Sequence, residues 1–556
     1  MQSLGNTNAW NTLRAATILL ILLIAAHAPL ALNDGLMMDD WLLLKLRPDS
    51  AVDLSFLLNG AGHPLFYGYL NLANLTGAPV LAMKILALTG ILVGAACLML
   101  TVTRLDLLSR TEAVGFSLIV WTYPGYQIWA GKGNALYVFS FGLFFLGAWL
   151  LSLAFMAKGT RHAIFRVAAA LVFFLSFALN STIVLYAFAV LALFFAVWLG
   201  NEHTQGMLRR TFLSGWQCAT RYPELVLLPL VYWGVLNMFF KRIGVYSRHY
   251  NAHLPTSSEL LDGWAAFFSV GYRDVLRNSI KEMLHSPLSF AFAALLVAIG
   301  FVLLRSDVKR SPESGYRKAL PFLLTPILFA SLALPYLFAG LRPGSFYETR
   351  HLLLFGLPLA FGVLAVKRVA EVAVGDRAAF VVVFGLAAVA SIAALWNDYF
   401  FMQARTLKQA ALSTHLAAMP RPDATVFNLK DGFLDYPSPH SPFGLPEVTG
   451  MLRLAWGNRP FLGFTARAER PTILQEMEEL RTGEGSAYQN IDPSGPQATI
   501  TFQPGPAATP NAALVRHYYA CRLFRMCDVP EFLKQLALVS IEVGPINGIT
   551  PLGKAN

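Results

Sequence analysis

Apolar residues come in long runs along this chain. ATILLILLIAAHAPLAL (16–32), AAALVFFLSFAL (168–179) and FVVVFGLAAVASIAAL (380–395) carry almost no charge. A run of about 20 apolar residues matches the hydrocarbon thickness of a bilayer. The pattern predicts about 11 membrane spans, over 13–32, 78–103, 113–130, 135–157, 163–181, 182–200, 225–240, 287–304, 322–340, 352–366 and 378–400. The first run holds Ala26-His27-Ala28, the small-x-small pattern of a cleavable leader, but Pro29 follows directly. Residues 13–32 are therefore read as a retained anchor. Between the first two spans, 33–77 is more than a plain loop. WLLLKL (41–46) and VDLSFLL (52–58) are short amphipathic pieces suited to lie flat at the membrane surface.

After residue 400 the pattern turns polar. Turn-rich stretches, PSPHSPFGLP (437–446), DPSGP (492–496) and QPGPAATP (503–510), separate strand-like ATVFNL (424–429) and ATITF (498–502) from helix-like PTILQEMEELR (471–481). The expected architecture is an all-α polytopic membrane bundle over 1–400, followed by a small α+β domain over 401–556. The absence of an internal repeat gives no support to an inverted-repeat transporter.

Composition narrows the class. The 556 residues are 56% hydrophobic and 13% charged, against roughly 25% charged in soluble proteins, which excludes one large soluble core. The net charge of +11 does not imply nucleic acid, because much of it sits in alternate loops between spans. Loops 104–112, 158–162, 201–224, 305–321 and 367–377 hold residues such as Arg104, Arg110, Lys158, Arg209, Arg210, Arg317, Lys318, Lys367 and Arg368. The positive-inside rule assigns these loops to the cytoplasm. A bacterial inner-membrane protein is expected, with a cytoplasmic N-terminus and with 33–77, 241–286 and the C-terminal domain on the periplasmic side. Loop 241–286 breaks the pattern with Lys241, Arg242, Arg248, Arg273, Arg277 and Lys281. Two readings stand: it holds an anion, or it crosses regardless of charge, as longer loops do. Cys521 and Cys527, six apart in CRLFRMC, are either a disulfide formed in an oxidising exterior or two free buried thiols.

The candidate chemistry lies in MMDDWLLL (37–44), which puts Asp39 and Asp40 just after the first span. The same face holds Lys132 in WAGKGN (129–134), SRHYNAH (247–253) and RPGSFYETRH (342–351). A carboxylate can take the proton of an acceptor hydroxyl as general base. Lysine and arginine hold a departing phosphate, arginine through a two-pronged fork. Acid and bases around a membrane bundle suit transfer from a lipid-phosphate donor whose tail stays in the bilayer.

On these residues the chain resembles the glycosyltransferases of the GT-C fold, which include protein O-mannosyltransferases and the aminoarabinose transferases of lipid A. MMDDW stands where that family has its acidic pair, and GHPLFYGYLNLAN (62–74) is similar to its His-Pro-containing approach to the second span. The resemblance implies inverting transfer of a sugar from a polyprenyl-phosphate-linked donor to a hydroxyl of a glycan, lipid or protein. It makes Asp39, or Asp40, the base. Arg350, with Lys132 or Arg248, would bind the donor phosphate; His63, His351 and Tyr347 would line the acceptor or sugar site. No cofactor is called for and no metal, since His249 and His253 have metal-capable spacing without a third ligand.

Plainer readings stand beside each assignment. The acids could cap the helix WLLLKL, Arg350 could snorkel to the interface, and Lys132 could be a solvated lysine. His63 could pack or cap where a helix starts at Pro64. Asp34 in NDG reads as a turn residue, and WTYPGYQIW (121–129) as an interface belt more readily than as a sugar-stacking surface. Two other functions share the polytopic bundle. An O-antigen polymerase or ligase needs no acidic pair. A lipid-linked sugar flippase expects charge at mid-span, where these spans read as clean.

Overall fold

The structure is a computed structural model of the chain. It describes residues 2–47, 64–179, 182–201, 206–240, 255–285, 287–304, 315–344, 346–433, 443–457, 459–465, 495–509 and 511–545. Among the described residues, nine helices are long and apolar enough to cross a membrane: Trp10–Leu32, Pro79–Arg104, Ala135–Met156, Gly159–Leu179, Thr182–Gly200, Pro287–Leu304, Lys318–Phe338, Glu348–Val374 and Asp376–Ala418. A tenth crossing arises if Met207–Arg221 and Glu224–Phe239, bent by 55° to each other, act as one. Pro223 sits at that break, where it disfavours helical backbone in the preceding residue. The protein is a multi-pass membrane protein, and its bundle closes on small residues. A Cβ on Gly90 would come within 2.7 Å of the Phe139 backbone, so the helices over 79–104 and 135–156 meet backbone to backbone, as small residues allow in lipid.

The predicted span 113–130 is corrected. The helix there, Arg110–Trp121, has 12 residues, opened by a Ser109–Glu112 capping box. Pro124 and Gly125 follow its end. Residues 122–134 then run as an irregular segment that is almost wholly buried. Irregular backbone is tolerated inside a membrane protein only where protein shields it from lipid, and every residue of this segment but Gln127 is buried.

The helix Gly385–Ala418 spans about 50 Å at 1.5 Å per residue. It runs through residue 400 without a break and forms the support on which the C-terminal region packs. That region holds a four-stranded sheet of β1 (Val426–Asp431), β2 (Leu462–Thr465), β3 (Gln497–Pro504) and β4 (Ala537–Val543), in the order β2-β1-β3-β4. β1 is parallel to β2 and β3, with Val426 opposite Leu462 and Gln497. β3 is antiparallel to β4, with Ile500 opposite Ile541. The parallel pairing of β1 and β2 needs a crossover, supplied by the helix Leu445–Trp456. That helix, Asn511–Phe524 and Val529–Leu536 pack against the long helix. Both strand-like stretches seen in the sequence are strands; 471–481 lies outside the described residues. Cys521 and Cys527 are joined as a disulfide.

Candidate functional site

The first helix ends at Leu32, and 33–39 turns back over the bundle. Met38 has φ of 43°, a left-handed conformation that a side-chain-bearing residue adopts at a cost. The turn aims Asp39 and Asp40 differently. Asp40 begins the short helix Asp40–Leu43 and is buried. Its Oδ2 accepts the backbone N–H groups of Met37 and Lys132, each at 2.9 Å, and its Oδ1 accepts that of Gly133 at 2.5 Å. A Cβ on Gly133 would lie 2.9 Å from Oδ1, so the close approach depends on glycine. Burial pushes the Asp40 carboxyl up to about 6, against the pull of the three amides and of the Lys132 charge. Asp39 precedes it at the N-cap position, exposed, and its side chain makes no capping bond.

Lys132 is buried as well, contrary to the solvated-lysine reading. Its ammonium donates to the Ala130 carbonyl at 2.6 Å. Burial brings it down to about 8, with Asp40 acting in the opposite direction. One buried acid thus fastens the 33–47 turn to the 122–134 segment, with a buried cation in reach.

The aromatic run on that segment is no interface belt: Trp121, Tyr123, Tyr126 and Trp129 are all buried. Tyr123 donates to the Gly271 carbonyl at 2.6 Å, and Tyr126 meets Trp129 edge-on at 4.9 Å. The Tyr126 hydroxyl is buried with no hydrogen-bond partner among the described residues, within electrostatic reach of Asp40. The same segment receives the late candidate stretch. The N–H of Gln127 donates to Thr349 Oγ1 at 3.2 Å, on the 3₁₀ turn Phe346–Phe355. Arg350 lies 3.6 Å from Glu348 and donates weakly to His351 at 3.4 Å. His351 is largely buried, edge-on to Tyr336. Asp40 and Lys132 are therefore in direct contact, and Arg350 and His351 are tied to the same segment through Thr349. His63, Arg248, His249, His253 and the Tyr347 side chain lie outside the described residues.

The fold is similar to that of the arabinofuranosyltransferase AftD from Mycobacteria. The two share 16% identity over 92% of this chain, at a TM-score of 0.42, and the chain spans 36% of that protein's length. ArnT from Cupriavidus metallidurans is similar in its apo state, at 12% identity over 93% of this chain and 95% of that one, with a TM-score of 0.32. The same protein bound to undecaprenyl phosphate gives 11% identity, 94% and 97% coverage, and a TM-score of 0.34. No family model and no curated protein matches the chain. At this level of likeness the chemistry rests on the side chains.

Two groups of residues beside the acidic turn escape the sequence reading. Asp34 is an ion-pair partner rather than a simple turn residue. It joins Lys84, which also donates to the Ala31 carbonyl at 2.9 Å, and Arg522 at 2.9 Å. Burial pushes Asp34 up, but Lys84 and Arg522 outweigh it and hold the carboxyl below its usual range. Lys84 also shows that the span 79–104 is not clean of charge. The second group comes from the C-terminal region. Gln409 donates to the Leu36 carbonyl and to Glu447, both at 2.9 Å. Glu447 takes the Arg405 guanidinium with both oxygens and the Gly444 N–H at 2.6 Å. Trp41 lies over Gly450, where a Cβ would come within 2.5 Å of the indole. The available signal was Arg405 and Gln409, one turn apart on the same helix face beyond the last apolar run.

Proposed function

We propose that this chain is an integral membrane glycosyltransferase of the GT-C type, moving a sugar from a polyprenyl-phosphate-linked donor to an acceptor hydroxyl with inversion. The observation that carries the reading is the unequal setting of two adjacent carboxylates. Asp40 is saturated by three backbone amides in a buried niche, which suits a fixed anchor. Asp39, adjacent in sequence and exposed, is the acid that an entering acceptor can reach.

In the proposed step the acceptor oxygen bonds to the anomeric carbon while the bond from that carbon to the phosphate oxygen breaks. Asp39 takes the hydroxyl proton, and the bonding pair leaves with the lipid phosphate. Lys132, buried beside Asp40, and Arg350, on the neighbouring turn, offset the charge that the phosphate gains. Such stabilisation is strongest where water is scarce. The family resemblance of MMDDW and GHPLFYGYLNLAN supports the donor class, and the asymmetry of the basic loops supports a bacterial inner membrane with the acidic turn on the periplasmic side.

The test is sugar transfer from a synthetic polyprenyl-phosphate donor, measured per folded molecule. Asp39→Asn is expected to lose about 100-fold or more, the usual contribution of a general base. Unchanged turnover in Asp39→Asn removes that residue from the reaction.

A further inference from the structure

The disulfide loop Cys521–Cys527 carries three exposed apolar side chains that the proposed chemistry does not use. Phe524 is 75% exposed and Met526 73%, with Leu523 beside them. They sit at the end of the helix Asn511–Phe524, and Arg525, with φ of 55°, turns the chain between them. A soluble surface rarely leaves so much apolar area together without a cover.

Depth identifies the cover. Arg522, within the same loop, donates to the carbonyl of Leu32, the last residue of the first span, at 3.1 Å, and to Asp34. Asp34 in turn holds Lys84. Lys84 lies five residues inside the helix Pro79–Arg104, about 7.5 Å along its axis from the start. On that same stretch of helix, Leu81 and Ile85 are exposed apolar residues on either side of Lys84 along the axis, as side chains facing lipid are. The loop is thus tied through Arg522 to the end of the first span and through Asp34 to the helix whose exposed face carries Leu81 and Ile85.

We propose that Leu523, Phe524 and Met526 insert into the adjoining bilayer leaflet and anchor the C-terminal region to the lipid. The disulfide holds the three side chains on one short loop, and Arg525 is placed to meet headgroup phosphate while its neighbours enter the acyl boundary. This inference stands independently of the glycosyltransferase reading.

The experiment uses the full chain in nanodiscs of phosphatidylethanolamine and phosphatidylglycerol. The photoreactive residue benzoylphenylalanine replaces Phe524 in one variant and Met526 in another, and mass spectrometry reads the adducts after illumination. Lipid adducts at either position are expected. Unmodified protein at both positions, which means water surrounds the loop, overturns the proposal. So does crosslinking to a second copy or to another protein in place of lipid. If one variant fails to fold, the other decides.

Discussion

Replacing Asp40 with asparagine sets two terms of similar size against each other. The two amides on Oδ2 can keep an oxygen acceptor, but Gly133 N–H then faces the new NH₂ group, donor against donor. One buried N–H is left unsatisfied, at about 1–3 kcal/mol. Against this, the wild-type carboxyl, raised from 3.8 to about 6, costs roughly 3 kcal/mol to keep ionised at neutral pH, and asparagine escapes that cost. The sign follows from linkage. The folded form binds the Asp40 proton more tightly than the unfolded form does. Wild-type stability from this group is therefore full below about pH 4 and is lost as pH rises to about 6. The variant has no such slope. It should be less stable than wild type at pH 4.5 and close to it at pH 7. The assay is the unfolding midpoint of both proteins in detergent at the two pH values, where the difference should shrink by a few degrees. An equal deficit at both pH values refutes Asp40 as the buried titrating anchor.

Other outcomes follow from the same geometry. Glu447→Gln leaves Arg405 buried without its carboxylate, a loss of about 3–5 kcal/mol; limited proteolysis should then cut the C-terminal region sooner, and an unchanged lifetime contradicts the pair's importance. Gly450→Val forces Trp41 aside and should reduce sugar transfer at unchanged protein yield; full transfer means that the contact does not position the acidic turn. Transfer should fall above about pH 8 as the Lys132 ammonium loses its proton, and this limb should move upward in Lys132→Arg; identical profiles exclude Lys132. Arg350→Lys should keep partial turnover and Arg350→Ala much less, whereas equal turnover in both and wild type excludes Arg350.

What the sequence reveals of this molecule is mostly what is local. Apolar runs mark the spans because a helix in lipid must satisfy its own backbone, and alternating ATITF marks a strand because side-chain direction alternates within it. The same logic misreads 113–130. A segment buried in protein is as apolar as one buried in lipid, so composition does not separate them, and only Pro124-Gly125 hints at the break. MMDDW gives the place of the acidic pair but not its division of labour, which depends on amides at Lys132 and Gly133. Asp34 looks like a turn because its partners, Lys84 and Arg522, are 50 and 488 residues away. Nothing short-range in NDG announces them.

The acidic turn is gripped from far along the chain, by Gln409 on Leu36 and by Gly450 beneath Trp41. A ribosome adding about 5–20 residues per second needs roughly 20–80 s to pass from Asp40 to Gly450. For most of that interval the turn can be held only from one side, by Asp40 on the amides of Lys132 and Gly133. The acidic turn therefore acquires its second set of supports only late in synthesis, and a chain that stops short of Gln409 and Gly450 leaves it clamped on one side alone.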